Sequence, residues 1–242
     1  MPRQWADVRI VTYNIHRSRG LDRRTRPERI ADVLAAIDAD IVALQEVVGP
    51  GLSGPGHAER IGAALAMGWV MAPAREFRRH QFGNAVLSRF PIRDHAQHDL
   101  SWRTCEPRNA MRVAIDVGAV GLLHVFNVHL GTALLERRYQ APRLAAWVED
   151  RHLQGPRVVL GDFNEWGHGL VNDLLAERLQ SLSLFPHLQR RRTYPGFFPL
   201  LHLDHVYFLG DVSVRRVELP RSRRALVASD HLPLVADLRV RW

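Results

Sequence analysis

A short stretch in the second half of the chain ends a predicted strand with two polar residues. Arg157 to Leu160 is a β-branched apolar run that stops at Gly161 and is followed by Asp162 and Asn164. A run of this length beside a glycine is typical of a buried strand. If the backbone stays extended there, alternate residues face the same side, and the carboxylate and the amide can converge on one ligand.

Three further predicted strands also end in polar residues. They are Val8–Tyr13 before Asn14, Ile41–Gln45 before Glu46, and Leu122–Phe126 before Asn127, Val128 and His129. In open α/β sheets, ligands bind outside the carboxyl ends of the strands, so these endings are predicted to form the walls of one site. One polar residue after a strand is usually a turn residue. Four such endings in one chain favour a shared functional role.

Two pairs of an acidic residue and a histidine follow near the C-terminus. Asp204 precedes His205, and Asp230 stands between Ser229 and His231. Adjacent strand residues face opposite ways, so at most one member of each pair is expected to point into a given site. With the polar strand endings, the set supplies carboxylate and amide oxygens, which suit Mg²⁺ or Mn²⁺. A divalent ion, neutral donors and a histidine base are the groups that hydrolysis of a phosphoester requires.

Composition restricts the class of protein. The chain has 242 residues, 46% of them hydrophobic, and all 33 of its Lys and Arg positions are Arg. The net charge of +8 favours an anionic substrate or surface. Cys105 is the single cysteine, which excludes a disulfide framework. A strand pattern begins almost at the first residue and no apolar run approaches the ~20 residues of a membrane span, so we expect a soluble, cytoplasmic protein.

The remaining pattern predicts one α/β domain over residues 1–242. Helical spacing is found in Pro27–Ile37, His57–Met67, Ala133–His152 and Leu170–Leu179. Strand patterns are found in Asp40–Val48, Trp69–Ala72, Phe82–Pro91, Arg112–Val117, Gly121–Leu130, Leu203–Leu209, Val212–Leu219 and Leu232–Val240. Gly49 to Gly56 is expected to be a loop, and Pro142 is expected to start or kink the third helix.

The ordered set of motifs resembles one known family. The matching segments are Thr12–Ile15, Leu44–Val47, Gly83–Ser88, Asn127–Leu130, Gly161–Asn164, Leu203–Val206 and Ser229–Pro233. In this order the chain resembles the endonuclease/exonuclease/phosphatase superfamily, which has the fold of deoxyribonuclease I, and within it the short bacterial stand-alone metal-dependent hydrolases. The resemblance implies a four-layer sandwich in which two mixed β-sheets pack face to face, with helices outside.

The resemblance also implies a metal site. It points to Mg²⁺ or Mn²⁺ as the cofactor, with Glu46 as the main ligand and Asn14 beside it. Asp230 would be a further carboxylate on the metal side.

The same resemblance implies the catalytic groups. Asp162 would orient or activate the attacking water, and Asn164 would contact the phosphate or the nucleophile. His129 would hydrogen-bond a phosphoryl oxygen. His231 would act as a general acid or base, or polarise the phosphate, with Asp204 as its orienting partner. His205 matches no functional position of the family and is interpreted as a structural or rim residue.

Substrate binding has weaker candidates, which are Asn84, Arg108, Arg138 and Tyr194. A structural role at a strand end explains Asn84 equally well, and single arginines in an arginine-rich chain are usually solvated or salt-bridged. Tyr194 belongs to the loop Arg190–Pro199, which is rich in arginine and aromatic residues. That loop could bind phosphate and stack on a base, lie at a lipid headgroup interface, or fold into a small core of its own.

These observations lead us to expect a Mg²⁺- or Mn²⁺-dependent phosphoester hydrolase, most simply a phosphodiesterase that uses in-line attack of water. Its anionic substrate could be a small molecule, a lipid headgroup or a nucleic acid, and a small or lipid-type diester is favoured over duplex DNA. A nuclease acting on DNA or RNA is the first alternative. A non-catalytic module that binds a phosphate ligand on the same fold is the second. A monomer is favoured.

Overall fold

The computed structural model describes residues 5–52, 54–118, 121–165, 169–181, 192–196, 198 and 200–241. Within them, two six-stranded sheets form the centre of the molecule. The first sheet consists of β1 (Trp5–Asn14), β2 (Ile41–Gly51), β3 (Gly68–Phe77), β4 (His80–Ser88), β11 (Val212–Glu218) and β12 (Leu234–Arg241). The second consists of β5 (Ile92–Asp99), β6 (Asn109–Asp116), β7 (Leu122–His129), β8 (Arg157–Asp162), β9 (Gln180–Ser181) and β10 (Asp204–Leu209).

Both sheets are mixed. Their strand orders are β11-β12-β1-β2-β4-β3 and β5-β6-β7-β8-β10-β9. In the first sheet β1 runs parallel to β2, and in the second β7 runs parallel to β8, whereas the other described pairings are antiparallel. Parallel strands end at the same edge of a sheet, so each sheet offers one pair of neighbouring carboxyl ends, which is where α/β proteins place ligands.

Apolar side chains fill the space between the sheets. One buried cluster includes Ile10, Ile41, Val125, Val158 and Leu238, and it therefore draws on both sheets. These side chains come from alternate positions of strands whose other face is also covered, which explains the nearly continuous apolar runs in the sequence. Each fully buried side chain of this type contributes roughly 1.5–3 kcal/mol to stability.

Helices cover both outer faces. They are α1 (Pro27–Ile37), α2 (His57–Leu65), α3 (Leu134–Val148), α4 (Leu170–Arg178) and α5 (Arg223–Ala228). The first sheet packs against α1, α2 and α5, and the second packs against α3 and α4. The expected four-layer sandwich is confirmed. α1 begins at Pro27 as predicted, because the fixed φ of proline suits the first helical position and its missing N–H has no partner to lose there.

Three expectations about elements differ from the structure. β2 continues to Gly51, into the segment that was expected to be a loop. α3 begins at Leu134, well before Pro142, so the first of the two expectations for this proline, that it starts the helix, is wrong. Pro142 is exposed, and water can therefore solvate the carbonyl group that loses its helical partner. β5 and α5 lie in segments for which no element was predicted.

None of the helices in the described part of the chain has the length and apolar character that crossing a bilayer demands. In the loop Arg190–Pro199, residues 190, 191, 197 and 199 lie outside the described residues.

Candidate active site

The carboxyl ends of β1 and β8 meet across the sandwich. Asn14 Nδ2 donates a hydrogen bond of 2.9 Å to Asp162 Oδ2, and the same nitrogen lies 3.4 Å from Glu46 Oε1. Asn14 and Asp162 are each 1% exposed. A buried carboxylate without partners would be costly, so this hydrogen bond across the sheets both satisfies Asp162 and fixes its orientation. The structure thus brings three of the sequence-predicted site residues together.

His231 lies between two buried carboxylates. Its Nδ1 is 3.1 Å from Asp204 Oδ2, and its Nε2 is 3.6 Å from Asp162 Oδ2. Burial alone would lower the pKa of His231, but the charges of Asp204 and Asp162 outweigh burial and raise that pKa to about 10. His231 is therefore an imidazolium at neutral pH, with Nδ1–H donated to Asp204 and Nε2–H directed towards Asp162.

His129 reaches the same carboxylate from β7. Its Nδ1 is 3.1 Å from Arg108 Nη1, and its Nε2 is 3.7 Å from Asp162 Oδ2. Burial, with the nearby charges of Arg108 and His231, holds the pKa of His129 well below its usual range. The ring is thus neutral. Because arginine can only donate, Nδ1 must accept, and the proton is on Nε2. His129 therefore presents an N–H to the carboxylate.

One oxygen of Asp162 is at the centre of these donors. Its Oδ2 accepts from Asn14, while the two imidazole nitrogens are 3.6 and 3.7 Å away, beyond hydrogen-bond distance. Both N–H groups are therefore available to oxygens of a bound substrate. Burial raises the pKa of Asp162 to about 6, although the charge of His231 lowers it. A carboxylate with such a pKa is suited to accept a proton near neutral pH.

Asn164 departs from the extended geometry that the sequence suggested. β8 ends at Asp162, and Asn164 has a φ of 51°, so the backbone turns after the strand. The N–H of Asn164 donates to Asp162 Oδ1 at 2.9 Å, and its Nδ2 donates to the Leu130 carbonyl, also at 2.9 Å. The expected alternation of side chains is wrong here because the Asp162 carboxylate accepts the backbone N–H of a turn. Asn164 still adjoins Asp162.

Gly161 is needed where β8 passes β7. Its φ is +150°, and a Cβ atom at this position would be 1.9 Å from the Val128 carbonyl oxygen. A larger residue could not occupy this position without separating the two parallel strands. The glycine thus keeps His129 and Asp162, which are paired in register, at the same edge of the sheet.

Glu46 and Asp230 lie at the more exposed side of the centre. Glu46 has a φ of 54°, and its side chain is 25% exposed. Ser229 Oγ donates to the Asn14 carbonyl at 2.8 Å and is 3.2 Å from Asp230 Oδ1, which places Asp230 beside Asn14. His16 Nδ1 is 3.5 Å from the same oxygen of Asp230.

The donors present suit a hard cation. Among the described residues, no three His, Cys, Asp or Glu side chains form a cage that could hold a metal. Mg²⁺ does not need such a cage, because it is usually bound through one or two carboxylates and keeps several water molecules. The partly exposed carboxylate of Glu46 fits that mode of binding. Asn14 turns its amide nitrogen, which cannot bind a cation, towards Glu46, and its Oδ1 accepts the backbone N–H of His16 at 3.0 Å.

Three residues near the site had no predicted role. His16 contacts Asp230, Arg17 Nε lies 3.9 Å from Glu46 Oε2, and Ser229 links Asp230 to β1. Ser229 belongs to a recognisable motif, so its position could have been noted. His16 and Arg17 follow Asn14 directly, but a polar segment after a strand carries no sequence signal for their φ values of 42° and 58°.

The weaker substrate-binding candidates fall into different environments. Arg108 is an ion-pair partner of Glu106 at 2.8 Å as well as a partner of His129. Asn84 is buried and donates to the Asn109 carbonyl at 3.0 Å, yet it also lines a small cleft with Glu46 and His129. Arg138 is exposed on α3.

Tyr194 and His205 lie on opposite sides of the strand that carries Asp204. The ring of Tyr194 is 4.9 Å from that of His231. His205 instead packs edge-on against Phe163, with 5.6 Å between the ring centres. The side chains of Asp204 and His205 thus face opposite ways, in agreement with strand alternation. The same rule does not apply to Asp230 and His231, which follow α5 in a segment without strand pairing.

Comparison with known proteins agrees with this fold. The chain is 31% identical to the uncharacterized protein YbhP of Escherichia coli (strain K12), over 98% of both chains. It is similar in structure to the mannosyl-6-phosphatase Bt3783 of Bacteroides thetaiotaomicron, with a TM-score of 0.76, 19% identity and coverage of 96% of this chain and 99% of that one. ANGEL2, a 2′,3′-cyclic phosphatase, gives a TM-score of 0.76 at 14% identity, over 99% of each chain.

The model of the Endonuclease/Exonuclease/phosphatase family matches residues 11–231, a span that contains every side chain of the centre around Asp162. The expected resemblance is confirmed, and the chain belongs to the Endonuclease/Exonuclease/phosphatase family.

Proposed function

We propose that this protein is a divalent-metal-dependent phosphodiesterase in which water attacks phosphorus in line with the leaving group. The observation that carries the proposal is the group of donors around Asp162, where a neutral and a cationic imidazole direct N–H groups towards one carboxylate oxygen without hydrogen bonding to it. Two phosphoryl oxygens could each accept one of these N–H groups while Asp162 holds the attacking water.

The roles of the side chains follow from their charges. Asp162 is hydrogen-bonded by Asn14 and has a pKa raised by burial, so it would accept the proton of the attacking water. His231, an imidazolium held by Asp204, would stabilise the negative charge that develops on the phosphoryl oxygens. His129 would bind a further phosphoryl oxygen through its Nε2–H. Proton acceptance and charge stabilisation would thus be assigned to different groups.

Glu46 would hold Mg²⁺ or Mn²⁺, with Asp230 as a further oxygen donor. The expected role of Asn14 as a metal ligand is not supported by this geometry, because Asn14 turns its Nδ2 towards Glu46 while its Oδ1 accepts the backbone N–H of His16. When bound, the ion would offset negative charge on the phosphate and help to orient it. Asp230 is held beside Asn14 by Ser229, so its carboxylate would add negative charge on the side where the cation is proposed to bind.

The similar structures favour a phosphoester but not one class of ester. One is described as a mannosyl-6-phosphatase and another as a 2′,3′-cyclic phosphatase. Opening a cyclic phosphate breaks one bond of a diester, whereas a phosphatase that acts on a sugar phosphate cleaves a monoester. Support for the diester comes from the centre itself. Among the described residues, two imidazole N–H groups are directed towards Asp162 Oδ2, one for each of the two non-bridging oxygens of a diester.

The proposal is tested with two chromogenic substrates, bis-(4-nitrophenyl) phosphate and 4-nitrophenyl phosphate. Turnover of each is measured with Mg²⁺, with Mn²⁺ and with EDTA. We expect hydrolysis of the diester, dependent on the metal and abolished by EDTA. Preference for the monoester would contradict the phosphodiesterase assignment and indicate a phosphatase, while turnover that persists in EDTA would contradict the role of the metal.

A further inference from the structure

Beside the catalytic centre, the structure contains a pocket of about 500 Å³ that the proposed mechanism does not use. Its walls carry four arginines, Arg17, Arg19, Arg23 and Arg78, together with the ring of Phe77. No carboxylate is found among the described residues that line it. A concave site of this size, with several guanidinium groups and no carboxylate in its described lining, suits the anionic part of a small molecule.

These arginines come from two separate segments of the chain. The segment that follows β1 closes on itself through an isolated β-bridge between Arg19 and Thr25, and Arg78 occupies the turn between β3 and β4. Arg17, Arg23 and Arg78 have φ values of 58°, 61° and 51°, in the left-handed region that such residues rarely adopt. Conformations of this kind persist where the surrounding structure fixes them, and they cluster at ligand sites.

Arg17 connects the pocket to the catalytic centre. Its Nε is 3.9 Å from Glu46 Oε2, and its guanidinium carbon is 5.7 Å from the centre of the Phe77 ring. Arg78 lies 5.4 Å from the same ring. The pocket therefore begins next to the carboxylate that is proposed to hold the metal. A substrate whose reacting phosphate lies at Glu46 would place the adjoining part of the molecule in the pocket.

We propose that this pocket binds a second phosphate group of the substrate, so that preferred substrates carry one phosphate besides the one that is hydrolysed. This inference rests on the proposed function. Guanidinium groups match phosphate oxygens with paired hydrogen bonds, and a terminal phosphate offers nearly two negative charges to the several arginines of the pocket, whereas a carboxylate offers one. The 5′-phosphate of an oligonucleotide and the phosphate on an inositol headgroup share this chemistry.

Matched pairs of substrates test the inference and separate the two sources of phosphate. The thymidine dinucleotide TpT is compared with its 5′-phosphorylated form pTpT, and glycerophosphoinositol is compared with its 4-phosphate. In at least one pair, we expect the second phosphate to raise kcat/KM by about 10-fold or more, as charge-assisted hydrogen bonds to phosphate do. The pair that responds identifies the source. Equal kcat/KM within both pairs would overturn the inference.

Variants in both segments then assign the effect to the pocket. Arg19→Gln and Arg78→Gln remove one charge each from exposed positions. Arg215→Gln is the matched control, because Arg215 is also exposed but lines a separate groove beside Asp7. In the two pocket variants, the ratio of kcat/KM between the members of a pair should fall towards 1, and in the control it should remain as in the wild-type protein. A ratio that is unchanged in the pocket variants would contradict the assignment.

A binding measurement keeps the inference distinct from the proposed hydrolysis. The probe is inorganic pyrophosphate, in buffer from which a chelating resin has removed metal ions. Without metal, the carboxylates of the catalytic centre disfavour anions, so binding of pyrophosphate reports on the pocket. At ten times its Kd, pyrophosphate should raise the Tm of the wild-type and Arg215→Gln proteins by about 3 °C. A smaller rise is expected for Arg19→Gln and Arg78→Gln. The same rise in Tm in all four proteins, or no rise in the wild type, would overturn the inference that the pocket binds phosphate, even if the protein hydrolyses diesters. A selective loss would support the pocket even if all four substrates are inert.

Discussion

At the scale of residues, Asp162 and His231 are neighbouring titrating groups whose pKa values lie far apart. Burial raises the pKa of Asp162, and the carboxylates of Asp204 and Asp162 raise that of His231 against the effect of burial. The two groups interact strongly, so the pH dependence of the reaction will report them as a pair. Between the two pKa values, Asp162 is ionised and His231 is protonated, which is the state that the mechanism requires.

The charge of Asp204 sets the alkaline limit of that range. In Asp204→Asn the pKa of His231 should fall, because an opposite charge at this distance typically shifts a pKa by about 1–3 units. The alkaline limb of the profile of kcat/KM against pH should therefore move to lower pH by at least about 1 unit. The profile is measured on bis-(4-nitrophenyl) phosphate with saturating Mg²⁺. An alkaline limb at the same pH in both proteins would contradict the proposed coupling.

Glu46 is the residue on which metal affinity should depend most. Glu46→Gln removes the charge but keeps the shape, so the Mg²⁺ concentration that gives half-maximal activity should rise by at least about 10-fold. Glu28→Gln provides the control, since Glu28 is an exposed carboxylate paired with Arg60 on the helical face. Equal Mg²⁺ requirements in Glu46→Gln and the wild-type protein would rule out Glu46 as the main ligand.

At the scale of elements, the two parallel strand pairs carry the site. Asn127 connects them beneath it, since its Nδ2 donates to the Leu44 and Ala85 carbonyls at 2.9 Å and its Oδ1 accepts from Gln45 at 2.7 Å. These fully buried hydrogen bonds join β7 to β2 and β4 across an otherwise apolar interface. They explain why the polar ends of strands from different sheets meet in a single centre.

His205, on β10 next to Asp204, should affect stability rather than catalysis. Burial, together with His202, holds the pKa of His205 well below its value of 6.5 in an unfolded chain. The folded protein therefore binds fewer protons than the unfolded chain below pH 6.5, and stability is lost as the pH falls. In His205→Phe the free energy of unfolding should decline less steeply, by up to about 1.4 kcal/mol per pH unit.

Urea unfolding between pH 8 and pH 5 measures this slope, roughly the range in which a histidine of ordinary pKa changes its charge. The wild-type protein is the reference, and His57 and His129 will keep part of the slope in the variant because their pKa values are also lowered. Equal slopes in both proteins would show that His205 does not titrate on unfolding. A large loss of turnover at pH 8 in a folded variant would contradict its structural role.

Strand endings were predictable because apolar runs and polar stops are local features. Asn14, Asp162 and His129 follow such runs and meet as expected. β5 was not predictable, since it is an edge strand with mostly exposed, polar residues and shows no apolar period. The turn at Asn164 was also not predictable from the sequence, because a positive φ at a residue other than glycine depends on contacts made after folding.

At the scale of the whole molecule, the net charge of +8 draws anions of any kind towards the protein. Ionic strength therefore separates a small substrate from a nucleic acid. A small diester contacts few charges, so its kcat/KM should fall by less than about 3-fold between roughly 50 and 200 mM salt. The affinity for a nucleic acid bound through about 6–10 phosphates would fall by about 10³–10⁵-fold over the same range.

For bis-(4-nitrophenyl) phosphate we expect the shallow dependence of kcat/KM on salt. Single-stranded and duplex 20-mers should be cleaved no faster than this diester at about 150 mM salt, near the physiological value. Activity on a 20-mer that exceeds that on the diester and collapses with salt would favour the nuclease alternative. No turnover of any substrate, with binding of pyrophosphate retained, would favour a non-catalytic module.

The most direct test of the account is the turnover of bis-(4-nitrophenyl) phosphate by Asp162→Asn at saturating Mg²⁺. Asp211→Asn, an exposed carboxylate paired with Arg241, is the control. The amide keeps the shape of the side chain but replaces one of the two acceptor oxygens by a donor, so the Tm should fall modestly while the protein stays folded. The value of kcat should fall by about 10²–10⁴-fold because the proton acceptor is lost. A folded Asp162→Asn protein with the kcat of the wild type would contradict the central claim that Asp162 activates the attacking water.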